Sequence, residues 1–449
     1  MTEQHIPRAT EERQEQPMSG LLARAPERAI LVGVSIGFMA STSQDSEWPV
    51  EESLDELAQL ATTAGIECAD RVIQRLQKPH PGTLLGSGKV QEVAELARFH
   101  NCDAVIFDLE LTPGQHRNLE RELETQVLDR TALILIIFGQ RAHTSEGRLQ
   151  VELAQVEYDL PRIARQWSHL SRQKGGVQQR GEGEKQIEVD RRLLRRQKKQ
   201  MLEELEHVRT HRQLHRARRQ RTGAPVVALV GYTNAGKSTL LNRLASANSL
   251  AEDKLFATLD PTTRRVRLTG GQELLLTDTV GFVQHLPTTL VAAFRATLEE
   301  VAEADLLVHV VNAAYPAVNR QVEAVEEVLE EIGAGGRPTI IALNKADLLS
   351  PDTELTLTGM AEKLPTVKVS ALQGDGIDEL LRCISENLVA QFDSLDVLIP
   401  YSHGELVAQF HQYGTIECEE YEEAGTHIRG HMPANHSGPF TAFQCVRSK

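Results

Sequence analysis

The chain has 449 residues, 41% hydrophobic and 25% charged, with a formal net charge of −15. At roughly 100–200 residues per domain that length implies two to four domains, and its longest apolar stretch, T-A-L-I-L-I-I-F-G (131–139), falls well short of the roughly 20 residues of a membrane span. Five scattered cysteines (Cys68, Cys102, Cys383, Cys418, Cys445) and a polar N-terminus of mixed charge exclude a disulfide framework and a signal peptide, so a cytoplasmic monomer is expected, with peripheral membrane association left open.

Residues 1–28 are polar and are expected to form a disordered tail. A-I-L-V-G-V-S-I (29–36) reads as a buried strand, E-S-L-D-E-L-A-Q-L-A (52–61) as a helix, V-Q-E-V-A-E-L-A-R-F (90–99) as a helix and D-A-V-I-F-D (103–108) as a strand. I-E-C-A-D-R-V-I-Q-R-L (66–76) lies between them, and P-G-Q-H-R-N-L-E-R-E-L-E (113–124) opens another helix with Pro113 near its start. This alternation predicts an N-terminal α/β subdomain over 29–144. Residues 145–222 carry two long helical patterns broken at K-G-G-V-Q-Q-R-G-E-G-E (174–184), the signature of an antiparallel helical hairpin. Residues 161–222 hold 18 Lys+Arg against 7 Asp+Glu, a local +11 that leaves −26 for the rest (−15 minus +11). Strand–loop–helix patterning returns over 223–392, and 393–449 reads as a small α+β unit. The expected fold class is multidomain α/β: an α/β subdomain, a basic hairpin, a mostly parallel P-loop domain and a C-terminal α+β unit.

P-V-V-A-L-V-G-Y-T-N-A-G-K-S-T-L (225–240) is a strand running into G-x-x-x-x-G-K-S and then a helix, the context a P-loop requires. Gly231 and Gly236 let successive N–H groups turn toward phosphates, Lys237 reaches the β- and γ-phosphates, and Ser238 ligates Mg²⁺. Asp278 follows the strand E-L-L-L-T (273–277), where it would hold a Mg²⁺-bound water, and the Gly281 N–H meets the γ-phosphate. In F-A-T-L-D-P-T-T-R (256–264) the hydroxyls of Thr258, Thr262 and Thr263 are all eligible to complete the Mg²⁺ shell, and spacing does not choose among them. T-I-I-A-L-N-K-A-D (339–347) ends in N-K-x-D. Asp347 can accept two hydrogen bonds from guanine, adenine offers no donor there, and the mismatch costs several kcal/mol. Asn344 would brace the loops, Lys345 would lie along the base, and the Ala371 N–H of V-S-A-L (369–372) can meet guanine O6. GTP is therefore the expected nucleotide. The expected contacts are Gly231, Tyr232, Thr233, Asn234, Ala235, Gly236, Lys237, Ser238, Thr239, Phe256, Ala257, Thr258, Leu259, Asp260, Asp278, Thr279, Val280, Gly281, Asn344, Lys345, Ala346, Asp347, Ser370, Ala371 and Leu372. By contrast L-L-G-S-G-K-V (84–90) lacks the P-loop spacing and reads as a tight turn before a helix, the alternative being a second nucleotide site.

Taken together, G-Y-T-N-A-G-K-S-T (231–239), F-A-T-L-D-P-T-T-R (256–264), T-D-T-V-G-F-V-Q-H-L-P (277–287), L-V-A-A-F-R-A-T-L (290–298), E-G-R-L-Q-V-E-L-A-Q (146–155), R-Q-K-G-G (172–176) and D-R-R-L-L-R-R (190–196) resemble the HflX family of GTPases, in the same broad group as the Obg-like proteins. The resemblance covers roughly 30–425. It implies Thr258 as the second Mg²⁺ ligand, with Lys237, Thr258 and Gly281 serving hydrolysis. It also implies binding to the 50S ribosomal subunit, with splitting or rescue of stalled ribosomes under stress, and a hairpin that reaches toward the peptidyl-transferase region. Arg172, Lys174, Arg180, Arg191, Arg192, Arg195 and Arg196, with Arg162, Arg165, Lys198 and Lys199, are then candidates to neutralise rRNA phosphates. Tyr158 and Trp167 read as helix-packing residues. The chain departs from the family at Gln178 and Glu182 in the hairpin tip, where a Gly and a Pro are usual, and at Asn312, where Asp is expected. Rival readings are a GTP-switched factor in rRNA or large-subunit maturation and a GTP-dependent adaptor for a membrane protease. The adaptor predicts binding insensitive to salt.

Phe282 stands where many switch GTPases place a Gln that orients water. Slow intrinsic turnover is therefore expected, with docking on the large subunit ordering Thr258 and Gly281; packing of Phe282 under the loop is compatible with this. Asn234 matches a position that holds K⁺ in some related GTPases, the alternative being a brace for the switch loop. The histidines and cysteines of the tail (His403, His411, Cys418, His427, His431, His436, Cys445) match no Zn spacing.

Overall fold

A computed structural model describes residues 26–37, 49–166, 189, 191–208, 210, 224–245, 255–256, 258–268, 273–284, 295–350, 356–359, 361–390 and 392–445. The chain divides into two compact units, Met1–Gly139 with Tyr158–Ile187, and Gln140–Glu157 with Glu188–Lys449. The boundary expected at residue 144 thus falls inside the 140–157 piece of the second unit, and the segment 145–222 contributes to both.

In the first unit, β1 (Arg28–Ile36), β2 (Glu67–Leu76), β3 (Ala104–Phe107) and β4 (Gln126–Asp129) form a parallel sheet in the order β2-β1-β3-β4. The continuous apolar run of β1 is buried along most of its length, as a central parallel strand covered on both faces must be. Helices α1 (Val50–Thr63), α2 (Ser87–Phe99), α3 (Pro113–Leu123) and α4 (Arg130–Arg141) alternate with the strands. Thr112 and Gln115 make a reciprocal capping box that starts α3, with Pro113 supplying a pre-set helical φ. The 131–139 run is α4, buried through residues 130–138. Gly86 is the N-cap residue of α2, and Lys89 is paired with Glu92 at 2.8 Å, so 86–89 is a turn opening a helix.

α5 (Ser145–Gln166) contributes its C-terminal turns to this unit. Asp129, fully buried, accepts from the Tyr158 hydroxyl (3.0 Å) and from Arg162 Nη2 (2.9 Å), and Arg162 also donates to the Leu111 carbonyl (3.0 Å). Arg162, counted by charge among the phosphate-neutralising residues, is thus a buried partner of Asp129. Freeing it would strand a carboxylate in the interior. Tyr158 packs as expected, with the Arg162 guanidinium 3.4 Å from its ring centroid.

The second unit holds a six-stranded sheet in the order β10-β9-β8-β5-β7-β6, parallel except for the edge strand β6. Its strands are β5 (Val226–Val230), β6 (Thr262–Arg267), β7 (Glu273–Asp278), β8 (Leu306–Asn312), β9 (Thr339–Asn344) and β10 (Thr366–Lys368). Residues 191–208 form the helix α6. Lys198 on this helix pairs with Glu157 of α5 at 2.8 Å. Further on come α7 (Lys237–Leu244), α8 (Arg295–Ala302), α9 (Val318–Glu331) and α10 (Ile377–Val389). The hairpin tip, with Trp167, Arg172, Lys174, Gln178, Arg180 and Glu182, lies outside the described residues, as do 1–25. The C-terminal part is a three-stranded antiparallel sheet, β11 (Asp393–Ile399), β12 (Thr415–Glu422) and β13 (Gly425–Met432) in the order β11-β13-β12. α11 (Gly404–Tyr413) packs on it, and Phe410 meets Phe440 edge-to-face at 5.3 Å. The architecture is the mixed α/β arrangement that the patterning predicts.

Candidate nucleotide-binding site

The loop between β5 and α7 is built around two glycines. Gly231 has φ +146, and a Cβ there would sit 2.2 Å from the Val310 carbonyl oxygen. Gly236 has φ +94, and its Cβ would sit 2.2 Å from Asn344 Nδ2. Both positions demand left-handed backbone and close approach, which only glycine tolerates. Asn234 also adopts positive φ (58°), which Asn accepts more readily than most residues. Lys237 is buried, its Nζ donating to the carbonyls of Gly231 (3.0 Å) and Tyr232 (2.9 Å). Burial pulls its ammonium down to about 8 from 10.5, with Asp278 opposing.

At the start of α7, Ser238 Oγ lies 2.8 Å from Thr258 Oγ1 and donates to Asp278 Oδ2 at 2.6 Å, while Thr258 Oγ1 donates to the same oxygen at 2.8 Å. Among the described residues, the buried Asp278 Oδ1 meets no donor at hydrogen-bonding geometry. Burial pushes the Asp278 carboxyl up, and the Lys237 charge and the two hydroxyls counter that rise. A clustered all-oxygen set containing an orphaned carboxylate oxygen is short of positive charge, and it fits a hard cation such as Mg²⁺ or that cation's water. Among the three threonines, Thr258 joins this cluster, whereas Thr263 Oγ1 lies 3.0 Å from Thr277 Oγ1 and Thr262 pairs with Asp278 in the β6–β7 ladder.

On the other side, Asn344 ends β9, buried to 2% exposure. Its Nδ2 donates to the Ala235 carbonyl (2.8 Å) and its Oδ1 accepts from the Ala371 N–H (2.9 Å), joining three loops through one amide. The N–H assigned from sequence to guanine O6 is therefore engaged by Asn344. Asp347 Oδ1 accepts from Ser370 Oγ at 2.6 Å, which orients its carboxylate. Leu348 and Leu372, 66% and 72% exposed, line the cavity as apolar walls. Leu372 is expected from the V-S-A-L segment, whereas the only sequence signal for Leu348 is its place directly after the N-K-x-D segment.

These elements enclose a cavity of about 420 Å³. Its walls include Thr233, Asn234, Gly236, Lys237, Ser238 and Thr239 from the P-loop, Phe256, Thr258, Thr279 and Gly281 from the two following loops, and Asn344, Lys345, Asp347 and Ala371. Gly231, Tyr232, Ala235, Leu259, Asp278, Val280, Ala346 and Ser370, expected as contacts, are not among the lining residues. Several of these act from behind, as Asp278 and Ser370 do. Ala257 lies outside the described residues. Asp260 is also absent from the lining; its carboxylate binds the backbone at His143 and Thr144. Phe282 is 1% exposed, its carbonyl accepting from Thr233 N–H (2.7 Å) and its N–H donating to the Gly231 carbonyl (3.2 Å). Its backbone is thereby paired with the P-loop, and the Gln284 N–H is held by the Tyr232 hydroxyl at 2.7 Å.

Residues 51–139 match the family model for the GTP-binding GTPase N-terminal region, 141–219 that for the GTP-binding GTPase middle region, and 226–345 that described as 50S ribosome-binding GTPase. A GTPase HflX of Lacrimispora saccharolytica is 43% identical over 413 residues, covering 92% of this chain and 95% of its own length. The chain belongs to the HflX family of GTPases. The Escherichia coli GTPase HflX is 45% identical over 403 residues, 90% of this chain and 92% of its own. Among solved structures, a GTP-binding protein from the hyperthermophilic archaeon Sulfolobus solfataricus in complex with GDP is 23% identical, with a TM-score of 0.43, covering 81% of this chain and 99% of its own. As an HflX-family chain this is a GTP-binding protein, and among the described residues no helix is long and apolar enough to cross a membrane.

Two further features bear on the sequence reading. Asn312 Oδ1 accepts from the Ala314 N–H at 3.2 Å, so the residue that replaces the expected Asp caps a turn after β8. In the tail, Asp396, His427 and Cys445 bring ligand atoms within 4.8 Å of one another, a grouping that linear spacing does not reveal. Asp396 already holds His427 Nε2 at 2.6 Å and Arg429 Nε at 3.6 Å.

Proposed function

We propose that this chain is a GTPase that binds the large ribosomal subunit and couples GTP binding and hydrolysis to the splitting or rescue of stalled ribosomes. The observation that carries the reading is a nucleotide cavity and a basic helix in one compact unit. On α6, Arg192, Arg195, Arg196 and Lys199 are all exposed, and their i, i+3, i+4, i+7 spacing puts them on one face. Lys198 is tied to Glu157 on α5. A coherent cationic stripe on an otherwise acidic chain suits a phosphate backbone. The family description matched by 226–345, a 50S ribosome-binding GTPase, points the same way.

In the hydrolytic cycle Lys237 would place its ammonium on the β- and γ-phosphate oxygens, and the Gly281 N–H would face the γ-phosphate. Ser238 and Thr258 would hold Mg²⁺, with Asp278 behind them, and its charge offsets that of the phosphates. Phe282 is buried and has no group that could orient water, so the isolated protein turns over slowly. Docking on the ribosome supplies the missing order at Thr258 and Gly281. Asn234, at positive φ in the P-loop, is the residue through which K⁺ would act; exchanging KCl for NaCl in the same assay reads this directly.

The test is co-sedimentation with purified 50S subunits under a non-hydrolysable GTP analogue, across a salt series. Binding should weaken steeply with salt, and reversing Arg192, Arg195 and Arg196 to Glu should flatten the logarithmic salt slope by roughly two to three. Salt-insensitive binding, or equal GTPase rates with and without 50S, overturns the reading.

A further inference from the structure

Asp260 lies two residues beyond Thr258 and two before Thr262, where β6 begins. Its carboxylate accepts from the backbone N–H of His143 (3.0 Å) and of Thr144 (2.9 Å), and from the Thr144 hydroxyl. That hydroxyl accepts in turn from the Gly147 N–H at 2.9 Å, which makes Thr144 the cap of α5. A second observation shows how tight the contact is: a Cβ at Gly147 would sit 2.4 Å from Asp260 Oδ1. Glycine in a helical turn costs about 1 kcal/mol relative to alanine, and here the close approach of the carboxylate supplies the reason for it. A negative side chain at a helix N-terminus is also favoured by the helix dipole.

All of these residues belong to the second unit, which also contains α6. The loop is therefore held at two points. One is Thr258, bonded to Ser238 and Asp278 inside the nucleotide site. The other is Asp260, bonded to the residues that open α5, the helix whose Glu157 pairs with Lys198 of the basic α6. We propose that Asp260 is a positioning residue that latches the phosphate-sensing loop to the N-terminus of α5, so that ordering of Thr258 around a γ-phosphate and ordering of the base of the helix pair are a single event. This rests on the reading of Thr258 as the residue that responds to the γ-phosphate, and it adds the path by which that response leaves the nucleotide site.

The test is hydrogen–deuterium exchange on the full chain, comparing GDP with GMPPNP, read at the peptide covering 143–150. Binding of fluorescent GDP and GMPPNP is measured alongside. In the wild type, exchange at these amides should be about tenfold slower with GMPPNP. In Asp260→Ala it should be faster and the same with either nucleotide, and Gly147→Ala, which keeps the carboxylate but pushes it off the helix start, should abolish the difference likewise. Thr144→Ser keeps the hydroxyl and should restore the wild-type pattern, whereas Thr144→Val should not. Nucleotide-dependent protection that survives in both Asp260→Ala and Gly147→Ala overturns the latch while leaving the nucleotide reading intact. Failure to bind either fluorescent nucleotide overturns both.

Discussion

Replacing Asn344 by Ala tests the bracing of the nucleotide site at its most connected point. The substitution removes two buried hydrogen bonds, to the Ala235 carbonyl at 2.8 Å and from the Ala371 N–H at 2.9 Å. Both backbone partners belong to residues that are almost wholly buried, at 0% and 3% exposure, so water cannot reach them without a local opening. Each lost bond is worth about 1 kcal/mol net, and a stranded buried partner costs ~1–3 kcal/mol. Partial relaxation makes about 3 kcal/mol the expected total for the GDP-bound protein. Guanidinium unfolding followed by circular dichroism, with and without GDP, together with fluorescent-GDP titration, separates the part lost in the free protein from the part lost in affinity. A combined loss below about 1 kcal/mol would show that the three loops are held by other contacts.

Two further predictions concern protons. The Lys237 ammonium, lowered to about 8 by burial in the nucleotide-free protein, must be charged to meet phosphates. GTP affinity should therefore fall by up to about tenfold per pH unit between about pH 8 and 9.5, with proton uptake on binding, and Lys237→Met should erase the slope; a flat profile contradicts this. Because the folded value is depressed, the same lysine makes the nucleotide-free protein gain stability as pH rises from about 8 toward 10.5. His309, buried in β8 and lowered to about 4 from 6.5 chiefly by burial and next by Lys237, stays neutral when folded. The unfolded chain takes up the proton first, so stability should fall by about 3 kcal/mol as pH drops from about 6.5 to 4. His309→Asn should flatten that part of the profile in guanidinium midpoints measured across pH, and an unchanged slope would place the acid sensitivity elsewhere.

Much of the fold and of the site is legible in the residue order because its cause is local. The P-loop needs Gly231 and Gly236 for backbone shape, and the strand before it is apolar because the sheet covers both its faces. The turn at 86–89 and the capped start of α3 follow from similarly short-range preferences. What the order of residues hides is where a side chain ends up when its partner is far away in the chain. Charge counting treats Arg162 as one more surface cation, yet it neutralises Asp129, 33 residues earlier. Spacing leaves Thr258, Thr262 and Thr263 equivalent, the family resemblance favours Thr258, and the approach of Ser238 and Asp278 supplies the physical reason.

The sequence by itself determined the P-loop architecture, guanine as the base, the family and the charge contrast between residues 161–222 and the remainder. Each depends on which groups are present and on conformations set within a few residues. The tertiary structure alone decided that Asp260 turns from the nucleotide to the start of α5, 116 residues away in sequence, and that the Ala371 N–H belongs to Asn344. Those choices come from which buried donors and acceptors meet once the sheet and helices have packed, and a hydrogen bond buried away from water admits few alternatives.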